Sequence, residues 1–168
     1  MTLDGSPTAA LMRGGIVVSF VVLVFFGFTR LHPEPVAARQ GTSIIHPWAK
    51  GGVRIGGAMP MYVVIENNGM TQERLLGVTS PLADRIVISK LSRNSGNVRD
   101  TELDGVQLAP GARLAFRPGE LQIMLIGARR EIAPGQFIPL VLMFERGGEL
   151  TVSLRIENIG EPEHNDHF

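Results

Sequence analysis

The chain has 168 residues, with sixteen Lys plus Arg against sixteen Asp plus Glu, so it carries no basic field to draw nucleic acid. It has no cysteine, which excludes disulfides, thiolate metal sites and a cysteine nucleophile within these residues. Twenty glycines and 11 prolines beside few aromatics suit a β protein with many tight turns.

Residues 1–13 form a short N-terminal segment, and the first patterned stretch follows it. Ile16 to Phe28 is free of charge and lies between Arg13 and Arg30. As a helix, residues 14–29 span about 24 Å at ~1.5 Å per residue, slightly short of a ~30 Å hydrocarbon core. Leu11, Met12 and Leu31, with snorkelling arginines, make up the difference. Two readings stand: a transmembrane helix over residues 14–31, or a cleaved signal peptide. Val36-Ala37-Ala38 offers a cleavage site, but it lies ten residues past Phe28 and beyond Arg30, Pro33 and Pro35. That is far for a signal peptidase, so the retained anchor is preferred. Phe20, Phe25, Phe26 and Phe28 would then pack among other spans and against lipid. Arg13 on one side is matched by Arg30 and Arg39 on the other, so charge does not set the orientation. Residues 32–42, with Pro33 and Pro35, read as a short semi-rigid stalk.

Residues 43–158 read as one β domain of a common size. Leu150, Val152, Leu154 and Ile156 alternate with Thr151, Ser153, Arg155 and Glu157, the pattern of a half-buried strand. Leu140 to Phe144 is apolar on both faces and suits a central strand. Turn signals recur at Asn68-Gly69, Asp104-Gly105, Pro110-Gly111, Pro118-Gly119, Pro134-Gly135 and Gly147-Gly148. Short strands at such intervals predict an all-β sandwich or barrel. Catalytic chemistry is thin. His32, His46, His164 and His167 have no triad or zinc-protease context. His46 reads as a strand-edge residue beside Pro47 and Trp48. The glycine-rich Gly51 to Gly57 opens no helix and so fails as a phosphate loop. Arg129-Arg130 reads as a solvated turn. No enzyme is expected.

The most informative stretch is Arg117-Pro118-Gly119-Glu120-Leu121-Gln122-Ile123-Met124-Leu125. It resembles the Pro-Gly-Gly-x-His-x-Met-Leu segment of the periplasmic copper chaperones of the PCuAC family. Trp48 in Ile45 to Lys50, Tyr62 and Asn67 in Gly57 to Asn67, Ser80 to Ile88 and Phe137 to Glu145 match further strands of that family in order. The resemblance covers about residues 43–157 and implies a cupredoxin-like fold on the outer side of a bacterial cytoplasmic membrane. It therefore implies an N-terminus inside and a β domain in the periplasm. The family holds Cu(I) with a His-x10-Met-x21-His-x-Met pattern, whose positions fall on Ser89, Asp100, Gln122 and Met124. Three of the four soft donors are replaced by hydroxyl, carboxylate and amide groups, which suit harder cations. Met124 alone is expected to be a packed side chain.

Residues 159–168 form a tail in which His164 and His167, with nearby carboxylates, offer weak capture of Cu(II), Zn(II) or Ni(II). No resident metal or other cofactor is expected, although copper stays open. Two functions follow from the resemblance. One is a non-catalytic, membrane-anchored accessory subunit of a photosynthetic or respiratory complex, whose partners are other subunits and the bilayer. The alternative is a copper chaperone or assembly factor for a terminal oxidase, using Met124, Met59, Met61 and the tail. Neither reading includes a nucleic acid or a small-molecule substrate.

Overall fold

A computed structural model describes residues 36–94 and 97–160. Contacts divide the chain into residues 1–31 and residues 32–168, and the described residues all belong to the second unit. The apolar run at 14–29 with its four phenylalanines, and the tail histidines, lie outside the described residues. Among the described residues, no helix is long and apolar enough to cross a membrane.

The described chain is all-β. Its strands are β1 (Ala37–Arg39), β2 (Thr42–Lys50), β3 (Ala58–Asn67), β4 (Glu73–Thr79), β5 (Ala83–Asn94) and β6 (Asn97–Leu103). They continue with β7 (Val106–Leu108), β8 (Arg113–Phe116), β9 (Leu121–Ala128), β10 (Phe137–Phe144) and β11 (Gly148–Glu157). The pairing order is β6-β5-β9-β3-β2-β11-β10-β4-β7, with β1 on β2 and β8 on β3. Pairing is antiparallel except between β2 and β11.

β3 turns the sandwich corner. Its first residues, Ala58 to Met61, pair with β9, and Val63 to Glu66 pair with β8. Two sheets therefore share this strand and fold over one core, the cupredoxin-like sandwich expected from the sequence. Met59, Met61, Val63 and Ile65 of β3 all point into that core with Ile123 and Leu125 of β9 and Phe116 of β8. Ile138, Leu140, Leu142 and Phe144 join them from β10, and Leu150, Val152, Leu154 and Ile156 from β11. The period-2 alternation of β11 is thus the burial pattern itself, with Thr151, Ser153 and Arg155 exposed. β10 lies between β11 and β4, with Ile138, Leu140, Leu142 and Phe144 buried and its other face partly open. Among the described residues, the core cluster runs from Ile44 to Ile156, so this compact unit has a core of its own.

Two expectations change. Part of the 32–42 stretch read as stalk is folded, because β1 pairs with Thr42 to Ile44 of β2 through a turn in which Gln40 and Gly41 both have positive φ, 48° and 86°. A stalk signal from two prolines does not register such a hairpin. His46 is also no edge residue, since β2 runs between β3 and β11. The prolyl ring of Pro47 removes one backbone donor, and the register slips between Ile45 and Trp48 to accommodate it.

Candidate functional site

Register places the four family positions on the sheet face opposite the core. Ser89 of β5 lies directly across from Gln122 of β9, and Gln122 Nε2 donates to Ser89 Oγ at 3.4 Å. Both side chains are buried, at 2% and 5% exposure. Met124 lies one row away, across from Val87 on one side and Pro60 on the other, and is half-buried. Asp100 of β6 pairs with Leu91, one row away in the opposite direction, and is exposed. The fold therefore joins Ser89 to Gln122 and keeps Asp100 apart from Met124.

The row through Ser89 and Gln122 continues across the sheet. Met61 pairs with Ile123, so one residue on, Tyr62 stands beside Gln122. Tyr62 pairs with Trp48, and their rings meet at 4.7 Å between centroids. Trp48 in turn stacks on His46, 6.4 Å away and 26° from parallel. His46 Nε2 reaches Glu157 Oε1 at 3.3 Å, and that carboxylate is buried. The reach comes from local strain. His46 has a φ of 43°, a conformation that costs a non-glycine residue of order 1–3 kcal/mol and persists only where its surroundings hold it. Pro47 suggested an irregularity here, but nothing local in the sequence names Glu157, 111 residues away.

The row is a belt of amide, hydroxyl and aromatic groups. Ser89 has an amide beside it and no general base, so it lacks what a serine nucleophile requires. Of the donors at the four family positions, Met124 is the one soft thioether, the amide and hydroxyl hydrogen-bond each other, and Asp100 pairs in a different row. Met59 and Met61, expected to help, have 2% and 0% exposure and belong to the core cluster. Among the described residues, no group of three or more His, Cys, Asp and Glu side chains is placed to hold a metal ion.

A separate buried carboxylate was not foreseen. Glu73 of β4 accepts from the backbone N–H groups of Arg74 and Arg146 at Oε1, 2.8 and 3.0 Å, and of Gly147 at Oε2, 2.8 Å. Burial pushes its pKa up, but those three donors and the Arg146 charge outweigh that and hold it below the usual value. Glu73 pins the β10–β11 turn and is structural.

The family model described as "Putative lipoprotein LpqE-like" matches residues 42–156. The chain belongs to the LpqE-like family. "Putative lipoprotein Lxx21020" of Leifsonia xyli subsp. xyli is 22% identical over 132 residues, 78% of each chain. Among solved structures, the apo PCuAC domain from PmoF1 superposes with a TM-score of 0.62 at 23% identity, covering 73% of this chain and 98% of that one. The copper-bound PCuAC domain from PmoF2 gives 0.61 at 22%, covering 73% and 97%. Apo-DR1885 from Deinococcus radiodurans gives 0.55 at 14%, covering 94% and 100%. These likenesses establish the copper-chaperone-like fold.

Proposed function

We propose that this LpqE-like protein is a non-catalytic, membrane-anchored accessory subunit of an energy-converting membrane complex, respiratory or photosynthetic, on a fold that no longer binds copper. The observation that carries this reading is the buried Ser89–Gln122 pair. Two positions that would present soft donors instead satisfy each other, so the fold persists where the metal chemistry does not.

Anchoring is supported by the lipoprotein description of the family together with the apolar run at residues 14–29. A thioether-linked lipid needs a cysteine, and these 168 residues contain none, which leaves that run as the anchor the sequence offers. The face suited to a partner subunit is the outer side of β10. There Phe137 is 62% exposed, Pro139 is exposed, and Val141 and Met143 are half-buried. Alternation lines these four along one stripe about 20 Å long, flanked by Thr151, Ser153 and Arg155 of β11. Unpartnered apolar stripes of this kind mark protein contacts.

Two measurements test the reading. In competition with a Cu(I) chelator, residues 36–168 should bind copper no more tightly than micromolar. Nanomolar binding lost in Met124→Ala would restore the chaperone reading. Mild detergent extraction of the full chain should co-purify other membrane subunits, and Phe137→Asp should release them. Extraction of the chain alone, at native abundance, would refute the subunit role.

A further inference from the structure

We infer that the open end of the sandwich is a binding site for one acyl chain of a zwitterionic phospholipid. A cleft of about 530 Å³ opens there between the β5–β9 side and the β7–β8 side. Its wall is apolar: Leu91, Leu103, Val106, Leu114 and Leu121 come from five different strands. Leu103, Val106, Leu114 and Leu121 pack against the core yet remain partly exposed. The cleft is thus an outward continuation of the core, left unfilled by the chain's own side chains. Its volume falls in the ~300–1,000 Å³ range of small-molecule sites. Filling it removes apolar surface from water, at about 25 cal/mol per Å².

The rim decides the ligand class. Lys90 and Glu120 stand at the mouth, flanking Leu121, which pairs with Lys90 across β5 and β9. Neither side chain has a hydrogen-bond or ion-pair partner among the described residues. One unpaired cation and one unpaired anion over an apolar cleft complement a head group bearing both charges. The phosphate takes Lys90, the ammonium takes Glu120, and the chain enters between the leucines. A simple fatty carboxylate would satisfy Lys90 while facing Glu120 unfavourably. A protein side chain of leucine or phenylalanine type would leave both charges unused.

Access to such lipids rests on the anchored reading above. The test does not depend on that reading, because residues 36–168 carry their own core and can be studied in solution.

The experiment titrates the ¹⁵N-labelled 36–168 domain with monomeric lysophosphatidylethanolamine, below its micelle concentration. Amide shifts are expected to concentrate at Leu91, Leu103, Leu114 and Leu121. Lys90→Glu and Glu120→Lys should each weaken binding about tenfold, the equivalent of one ~1.4 kcal/mol contact, and the double exchange should recover most of it. Leu114→Lys should abolish binding, and its spectrum without lipid reports whether the domain is folded. Should Leu114→Lys unfold, Val106→Gln replaces it. Absent or scattered shifts in the wild-type domain overturn the site. Equal binding of lysophosphatidylethanolamine and myristate, or no recovery in the double exchange, overturns the head-group assignment and with it the proposal. If the lipid binds while the full chain is not membrane-held, the cleft stands and the anchored reading falls.

Discussion

Replacing Glu73 is the most direct test of how this sandwich is held at one end. Its carboxylate accepts three backbone N–H groups, two of them from the β10–β11 turn at Arg146 and Gly147, and is 5% exposed. Hydrogen bonds to a charged group are each worth about 1.5–3 kcal/mol net, and bonds sharing one carboxylate do not add fully. Glu73→Gln keeps one acceptor oxygen for Arg74 and Arg146 but turns an NH2 toward the Gly147 N–H. We expect a loss of about 2–4 kcal/mol at pH 7 by urea denaturation of residues 36–168. The pH dependence is more specific than the magnitude. The folded pKa lies below the ordinary 4.5, so the stabilisation is fully present above that value and is lost as pH falls through the folded pKa. A protonated Glu73 resembles the glutamine, so the two proteins should converge in stability as pH falls from 4.5 through the folded pKa. A gap that does not narrow at all as the solution is acidified from pH 7 until the domain unfolds would refute the assignment of the carboxylate charge to this turn.

Phe116 is fully buried among strands of both sheets, and Phe116→Ala should cost about 3–5 kcal/mol in the same denaturation assay. A cost under 1 kcal/mol would mean that the β8 contact with β3 is not part of the cooperative core. Gln40 has a positive φ of 48° before Gly41 at 86°, a geometry that favours Asn-Gly. Gln40→Asn should therefore stabilise the domain by roughly 0.5–1 kcal/mol, read as a higher thermal midpoint.

The sheet architecture was legible because it is written locally. Alternation at Leu150 to Ile156, the apolar run at Leu140 to Phe144 and the paired turn residues each reflect contacts within a few residues. The same local patterns cannot say which strand lies beside which. The hydrogen bond from Gln122 to Ser89 spans 33 residues, and that from Gly147 to Glu73 spans 74. Both depend on register across the sheet, a property of pairing and not of composition. The cleft at Lys90 and Glu120 was invisible for the same reason, since its leucines and valine are scattered over five strands and each reads as ordinary core. The strained φ of His46 had a partial sign in Pro47, but its buried partner Glu157 did not. The sequence put Ser89, Asp100, Gln122 and Met124 at the four family positions. Their failure to converge needed the β5–β6 ladder, in which Asp100 pairs with Leu91 and not with Ser89.

That ladder yields a prediction about rebuilding a metal site. Ser89 and Gln122 are direct partners and Met124 is one row away, so Ser89→His with Gln122→His should bring two imidazoles and the native thioether within reach of one Cu(I). Asp100 stands in the Leu91 row, whereas Met124 stands in the Val87 row. Four residues along a strand is about 13 Å, and β6 lies two strands from β9, roughly 10 Å, so the two Cα atoms are about 16 Å apart. Two side chains cannot close that gap onto a single ion with bonds of ordinary length. The triple variant that also carries Asp100→Met should thus bind Cu(I) no more than about threefold tighter than the double variant, a difference of ~0.7 kcal/mol. Chelator competition measures both. If Asp100→Met tightens binding a hundredfold, the β5–β6 hairpin must bend over the sheet in solution. Asp100 would then be a fourth position of a living site, and the reading of a fold emptied of its metal chemistry would fail with it.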